Sequence, residues 1–309
     1  MFLRIFLTLL LSFSGAAFAE PPQSSQSTKP PSPQTTAGRW FPTPRVPIPP
    51  DWKLLSAASD EFNAAGLDLG KWESDPGSWG TWSWDPRNVA QGGGRLALTM
   101  VHAPHERAKR TLFYKSGIVR SKAEVTYGYF EARIKGCHLF PGASPAFWLY
   151  SLGSYPGRVS YAEIDVVEMQ QDSGPVKRPR MLDFNLHGRI RQGNGSEVTI
   201  GPGKNPELCE HRWRANFDPR NEFHVYSALV TAKRIIWYVD GQEVASEENP
   251  HWHLPMRVVL SLALRAPYVR EEGGEKYPVP EKASGKGFPT TMEVDYVRVW
   301  TPPVAARKP

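Results

Sequence analysis

Cysteine is scarce in this chain: Cys137 and Cys209 are the only two in 309 residues. Two thiols build neither a disulfide framework nor a four-ligand zinc site, and whether the pair forms one bridge is not legible from sequence. Long apolar runs are also missing beyond the first residues. There, Met1-Phe2-Leu3-Arg4 and the apolar stretch from Ile5 to Phe13 precede Ala17-Phe18-Ala19 and then Glu20. The run is too short to span a bilayer comfortably, and the small-residue pattern is that of a secretory cleavage site. Residues 1–19 are therefore read as a signal peptide. No cysteine stands nearby to carry a lipid, so a secreted protein, extracellular or periplasmic, with no membrane anchor is expected. No helix-turn-helix or finger pattern is present. With 37 basic against 31 acidic side chains, the weak positive excess suits an anionic partner but argues for no nucleic acid.

What is abundant is strand signal. Residues 20–38 are rich in Pro, Ser, Gln and Thr and bury too little to fold, so they read as a disordered leader. The remainder, 39–309, fits a single all-β domain. Arg95 to Met100, Gly128 to Lys135, Phe223 to Val230, Met256 to Leu264 and Met292 to Trp300 are strand runs separated by Gly, Pro and Asn clusters. Ile235 to Val239, Asp240-Gly241 and Gln242 to Val244 spell a hairpin. No long amphipathic helix is legible. Many strands with Gly/Pro turns predict a two-sheet antiparallel sandwich whose curved inner sheet offers a concave substrate groove. Gly153 to Arg158, Gly193 to Pro206 and Glu271 to Pro289 read as polar loops, candidate walls of that groove.

Chemistry concentrates in Glu163-Ile164-Asp165-Val166-Val167-Glu168. Three acids in a β-branched run are costly unless paired or working. Strict alternation puts Glu163 and Asp165 on one face and Glu168 on the other. One β-bulge near Val166-Val167 returns Glu168 to the acidic face, with Ile164, Val166 and Met169 pointing into a core. The glutamates then stand roughly 13–16 Å apart along the backbone. Leaning side chains bring the carboxyls to about 5–5.5 Å, the separation of a retaining glycosidase pair. Calcium ligation or a solvated edge is the bland alternative for such a cluster. The upstream run Pro145 to Tyr150 places Trp148 and Tyr150 on one face, as a sugar-stacking surface beside the acids requires.

Parity tests the groove. In Leu182 to His187 the leucines and Phe184 share one face, and Asp183, Asn185 and His187 the other. In Leu260 to Arg265 the leucines face one way and Ser261, Ala263 and Arg265 the other.

The segment from Ala162 to Gln171 resembles glycoside hydrolase family 16, and within it the κ-carrageenase branch. The likeness continues through Thr81-Trp82-Ser83-Trp84, Phe113 to Ile118, Thr126 to Gly136, Pro145 to Ser151, Asn185-Leu186-His187, Trp237 to Gly241, Leu260 to Arg265 and Val294 to Trp300. It implies a jelly-roll sandwich and an endo-hydrolase cleaving β-1,4 links of a sulfated galactan with retention. By the resemblance, Glu163 is the nucleophile and Glu168 the general acid, then base. Asp165 hydrogen-bonds Glu163, and a third carboxyl helps separate the two pKa values. Arg265 is the first candidate for a sulfate ester, since its fork suits the oxyanion. Trp148 stacks beneath the sugar, Asn185 and His187 bind substrate or steady the acids, and Trp82 and Trp84 are further stacking candidates. No cofactor is required and no catalytic metal is expected, although related sandwiches carry structural calcium. The expected partner is an anionic polysaccharide, met by a monomer. Furcellaran or a hybrid carrageenan, then agarose or porphyran, stay open as substrates. A lectin-like binding sandwich and a transglycosylase are the other readings.

Overall fold

The computed structural model describes residues 43, 45–153, 155–169 and 179–303. The signal peptide and leader expected at residues 1–38 lie outside the described residues. Strands dominate, as the turn-punctuated runs predict. The α-helix among the described residues is the four-residue Pro206–Cys209, accompanied by three short 3-10 turns.

Two antiparallel sheets stack into a sandwich, the jelly roll that the resemblance implies. The outer sheet runs in the order Gln242–Glu248, Arg234–Val239, His224–Val230, Gly128–Lys135, Thr290–Thr301, Arg95–Arg107, Arg110–Ser116, Ser83–Trp84. The cleft sheet runs Glu197–Ile200, Met181–Arg191, Val159–Met169, Ala143–Tyr150, Met256–Leu264, Ile118–Val125, Trp72–Glu73, with Glu210–Arg214 paired to Met181–Arg191. The hairpin at Asp240-Gly241 forms as read. Both residues have positive φ, 48° and 75°, the backbone of the tight turn whose twist matches the flanking strands.

Period-two alternation supplies one core between the sheets. Leu96, Leu98, Phe130, Ile134, Phe147, Leu149, Phe184, Leu186, Leu260 and Leu262 are all fully buried there. On the outer sheet's far face a second cluster gathers Tyr129, Tyr238 and Trp300. Beneath it the buried Glu131 accepts hydrogen bonds from Tyr129 Oη at 2.8 Å and Tyr296 Oη at 3.0 Å. Neutral phenol donors satisfy this carboxyl where solvent is excluded.

The open cysteine question is answered, and two segments expected as loops contain strands. Cys137 and Cys209 are both buried and no disulfide joins them; Cys137 donates to the Leu139 carbonyl instead. Small apolar thiols pack well in such places. The supposed loop Glu271 to Pro289 is largely ordered: Val269–Glu272 and Glu275–Pro278 pair as a separate two-stranded hairpin. Its turn is Gly273-Gly274, both at positive φ, so charge-rich sequence concealed a strand pair. Glu197–Ile200 likewise forms a strand inside the supposed loop Gly193 to Pro206.

The bulge lies where alternation requires it. Ile164 stands opposite Leu186, yet Glu168 stands opposite Asp183, so four steps on one strand match three on its neighbour. On the other side Asp165 faces Trp148 and Val167 faces Phe147. Ile164, Val166, Val167 and Met169 are all fully buried. A bulge disturbs the ladder and exposes backbone polar groups to the core. Here the fully buried Trp237, from the opposite sheet, donates its indole N–H to the Asp165 carbonyl at 2.9 Å. Replacing Trp237 by Phe keeps a ring but removes that donor. We expect Trp237→Phe to lose about 1–3 kcal/mol of stability in urea denaturation, and a stability equal to wild type would disprove the anchoring role.

Candidate active site

All nine predicted site residues meet at one cleft on the concave sheet. One part is walled by Trp79, Trp82, Trp84, Trp148, Ser261, Ala263 and Arg265 around the three acids. The adjoining part is walled by Glu163, Glu168, Asp183, Asn185, His187 and Arg212. The parity reading therefore holds for both flanking strands. Asp183, Asn185 and His187 reach the cleft while Leu182, Phe184 and Leu186 are buried behind them. Ser261, Ala263 and Arg265 form the other floor.

Glu163 stands opposite His187 in register. Its carboxylate accepts from the Tyr161 hydroxyl on one oxygen, and the other lies 3.8 Å from His187 Nε2. The same Nε2 lies 3.3 Å from Asp165 Oδ2. The direct Asp165–Glu163 hydrogen bond expected from sequence is thus replaced, among the described residues, by a shared imidazole. Parity put both acids on one face, but it could not show the histidine reaching them from the next strand. His187 is itself steadied by Trp252, whose indole donates to the His187 carbonyl at 2.9 Å.

The charges are strongly interdependent. Burial raises the Glu163 pKa, against the pull of His187 and the Tyr161 hydrogen bond. Burial, reinforced by Glu168, lifts Asp165 well above the carboxylate range. For His187 burial opposes the charge, but the hydrogen bond and charge of Asp165, with Glu163 and Glu168, outweigh it and push the imidazole to about 9. A cationic His187 at neutral pH favours the charged form of the carboxylates it faces, against the burial that raises both Glu163 and Asp165.

Glu168 is held differently. Asn185 Nδ2 donates to one oxygen at 3.0 Å and Arg265 Nη2 to the other at 2.9 Å. Sequence reading assigned Arg265 to sulfate; the structure places its guanidinium on the second glutamate as well. A carboxylic acid has one O–H to give and keeps acceptor capacity on its oxygens, so Glu168 can hold both donors and still pass a proton onward.

The aromatic wall also sorts itself. Trp148 stacks on Tyr150 at 4.8 Å between ring centres, and its N–H donates to Ser261 Oγ at 3.1 Å. Trp82 and Trp84 line the cleft but are 5 % exposed each and meet edge to face. Their packing role is evident. Trp79, 39 % exposed and 5.4 Å from Trp84, offers the open ring that the sequence reading missed.

Other site residues also escaped that reading. Tyr161 lies two residues before Glu163, so it shares that side chain's face, and parity would have found it. Asp183 was placed on the face but given no role. It is buried, pushed up to about 6 by that burial against the opposing Arg212, whose Nε lies 2.8 Å from its Oδ1. Lys276 reaches the cleft from the Glu275–Pro278 strand, and no local pattern announced it.

For metals, one ligand atom from each of Glu163, Asp165 and His187 lies within 4.8 Å of the others, the one such group among the described residues. Two carboxylates and an imidazole are not the all-oxygen set that calcium favours, and the three already hold one another.

Two stacked sheets with a bulged acid strand on the concave face define a sandwich of the glycoside hydrolase type. The chain belongs to glycoside hydrolase family 16: the model described as "Beta-porphyranase A-D, GH16 domain" matches residues 52–302. A kappa-carrageenase of Pseudoalteromonas carrageenovora is 42% identical over 264 residues, covering 81% of this chain and 64% of that protein. The chain thus spans just under two thirds of that relative's length. The crystal structure of that organism's kappa-carrageenase with an oligotetrasaccharide of kappa-carrageenan superposes with a TM-score of 0.77 at 40% identity, over 84% of this chain and 98% of that one. A kappa-carrageenase from Zobellia galactanivorans gives 0.74 at 37%, over 84% and 99%.

The raised His187 pKa sets a pH signature. A group whose folded pKa exceeds its unfolded value of about 6.5 stabilises the fold fully below that pH and loses the effect as pH rises through the folded value. The wild-type melting temperature is therefore expected to fall between pH 6.5 and about 9, with a shallower fall in His187→Gln. Parallel curves for the two proteins would show that His187 carries no such charge.

Proposed function

We propose that this chain is a secreted endo-hydrolase that cleaves β-1,4 links of a sulfated galactan of the κ-carrageenan type with retention. The observation that carries this reading is the cleft itself: Glu163 and Glu168 line one cavity, each held by a different set of partners. Glu163, beside cationic His187 and the Tyr161 hydroxyl, attacks the anomeric carbon. Glu168 gives a proton to the leaving oxygen, and the glycosyl–Glu163 ester forms. Glu168 then takes a proton from water as the water displaces Glu163. Asp165 and His187, 3.3 Å apart at Oδ2 and Nε2, set the nucleophile's charge together.

Similarity to proteins named as kappa-carrageenases, at 37–42% identity, supports the galactan and its sulfate. Trp148, open to the cleft with its N–H tied to Ser261, suits stacking under a sugar. Arg265 serves as a sulfate contact beside its bond to Glu168. The acid set is complete within one chain, which suits a monomer, and the signal-like pattern at residues 1–19 supports export. Among the described residues no helix is long and apolar enough to cross a membrane. The matched family model's description makes porphyran the specific alternative substrate.

The test is reducing-end release with product sizing on κ-carrageenan, furcellaran, ι-carrageenan, agarose, porphyran and laminarin. We expect short even-numbered oligosaccharides from κ-carrageenan or furcellaran. Glu163→Gln should lose about 10³-fold or more in kcat while still binding the polymer. Near wild-type turnover in that variant would sink the mechanism. Cleavage of porphyran or agarose alone would keep the mechanism and remove the sulfated-galactan assignment. Sugar-acceptor products longer than the substrate would mark a transglycosylase.

A further inference from the structure

The hairpin formed by Val269–Glu272 and Glu275–Pro278 pairs with neither main sheet, yet it sends one side chain into the catalytic cleft. Lys276 lines both parts of that cleft, with Glu163, Glu168 and Arg265. Two-residue alternation explains the aim. Arg270 and Tyr277 are cross-strand partners, with Arg270 5.0 Å above the Tyr277 ring and Arg110 5.4 Å from it. They tie one face to the outer sheet's Arg110–Ser116 strand. Lys276, opposite Glu271 in register, is turned to the other face.

The base of the hairpin is firmly seated. Tyr268 packs 5.1 Å from Tyr114 and 5.5 Å from Phe288, and its carbonyl accepts from the Val279 N–H at 3.0 Å. Its ring also lies against Gly142, where a Cβ would approach it to 2.4 Å. A long lysine is therefore held over the cleft by an ordered arm.

The cations of the cleft differ in commitment. Arg265 bonds Glu168 and the Leu264 carbonyl, His187 faces Glu163 and Asp165, and Arg212 pairs with Asp183 and Glu210. Lys276 makes no ion pair or hydrogen bond with any described residue; it feels Arg265, Glu271, Glu168 and Glu163 only through space. A flexible ammonium, uncommitted and beside a fixed guanidinium, is suited to an anion that arrives with the substrate.

We propose that Lys276 is a specificity-determining residue that binds a sulfate ester of the sugar chain from the hairpin arm, beside Arg265. The inference rests on the sulfated-galactan reading above and adds the second cation to it. The arm then selects for charge: a neutral galactan fills the same cleft but leaves the ammonium without its counter-ion.

The experiment compares full-length wild type, Lys276→Gln and Lys276→Arg on κ-carrageenan and on chemically desulfated κ-carrageenan. Expected is an approximately tenfold fall in the ratio of kcat/KM between the sulfated and desulfated polymers for Lys276→Gln, carried by KM. Lys276→Arg should retain most of the ratio, and the fall should shrink as salt screens the contact. If Lys276 merely holds the hairpin in place, both substrates lose rate together and the ratio stays at its wild-type value, which overturns the proposal. Wild type cleaving κ-carrageenan with Lys276→Gln unchanged also overturns it and leaves the hydrolase reading standing. Wild type failing to cleave κ-carrageenan overturns that reading and the Lys276 assignment with it.

Discussion

One extra residue in one strand organises this molecule. Without the bulge between Asp165 and Val167, Glu168 would point into a core made of leucines, phenylalanines and valines. Burying a carboxylate there without partners costs several kcal/mol. With it, three acids share the wet face and four apolar side chains share the dry one. The bulge needs support because it interrupts a ladder in the middle of a sheet. That support crosses the sandwich: Trp237 on the outer sheet bonds the Asp165 carbonyl. The acidic cleft face and the structural core are thus two sides of one backbone irregularity.

Clustering acids creates a second constraint, electrostatic instead of steric. Like charges in a half-buried cleft repel, and each is tolerated through a particular partner. Glu163 has Tyr161 and His187, Asp165 has His187, Glu168 has Asn185 and Arg265, and Asp183 has Arg212. These partners are unequal, and the inequality separates the roles of the two glutamates. Glu163's neighbour is an imidazole whose pKa is pushed up to about 9. The second glutamate's neighbours are the hydrogen-bond donors Asn185 and Arg265.

Much of this was legible before any fold was known. The identity of the acid strand, the need for a bulge, the faces of Leu182 to His187 and Leu260 to Arg265, and the hairpin at Asp240-Gly241 all follow from local spacing. Tyr161 was equally legible by parity. Misreadings came where local chemistry and tertiary context part. Glu271 to Pro289 looks like a loop because it is charged and Gly-rich, yet a Gly-Gly turn and an aromatic base make it a hairpin. For the stacking candidates Trp82 and Trp84, both in the cleft, only burial tells an indole 5 % exposed from an open one such as Trp79.

Sequence alone determined which chemistry this protein carries: an acid triplet on a strand, an aromatic strand beside it, and an all-β chain to hold both. Alternation is a local property, and it assigns side chains to faces without knowledge of neighbours. Tertiary structure decided which groups act on which. Trp237 lies 72 positions from Asp165, and Arg265 lies 97 from Glu168. Lys276 reaches the acids only because an arm outside both sheets folds back over them. Such pairings depend on strand order and sheet stacking, set by the burial of the whole core, and no spacing within one segment encodes them.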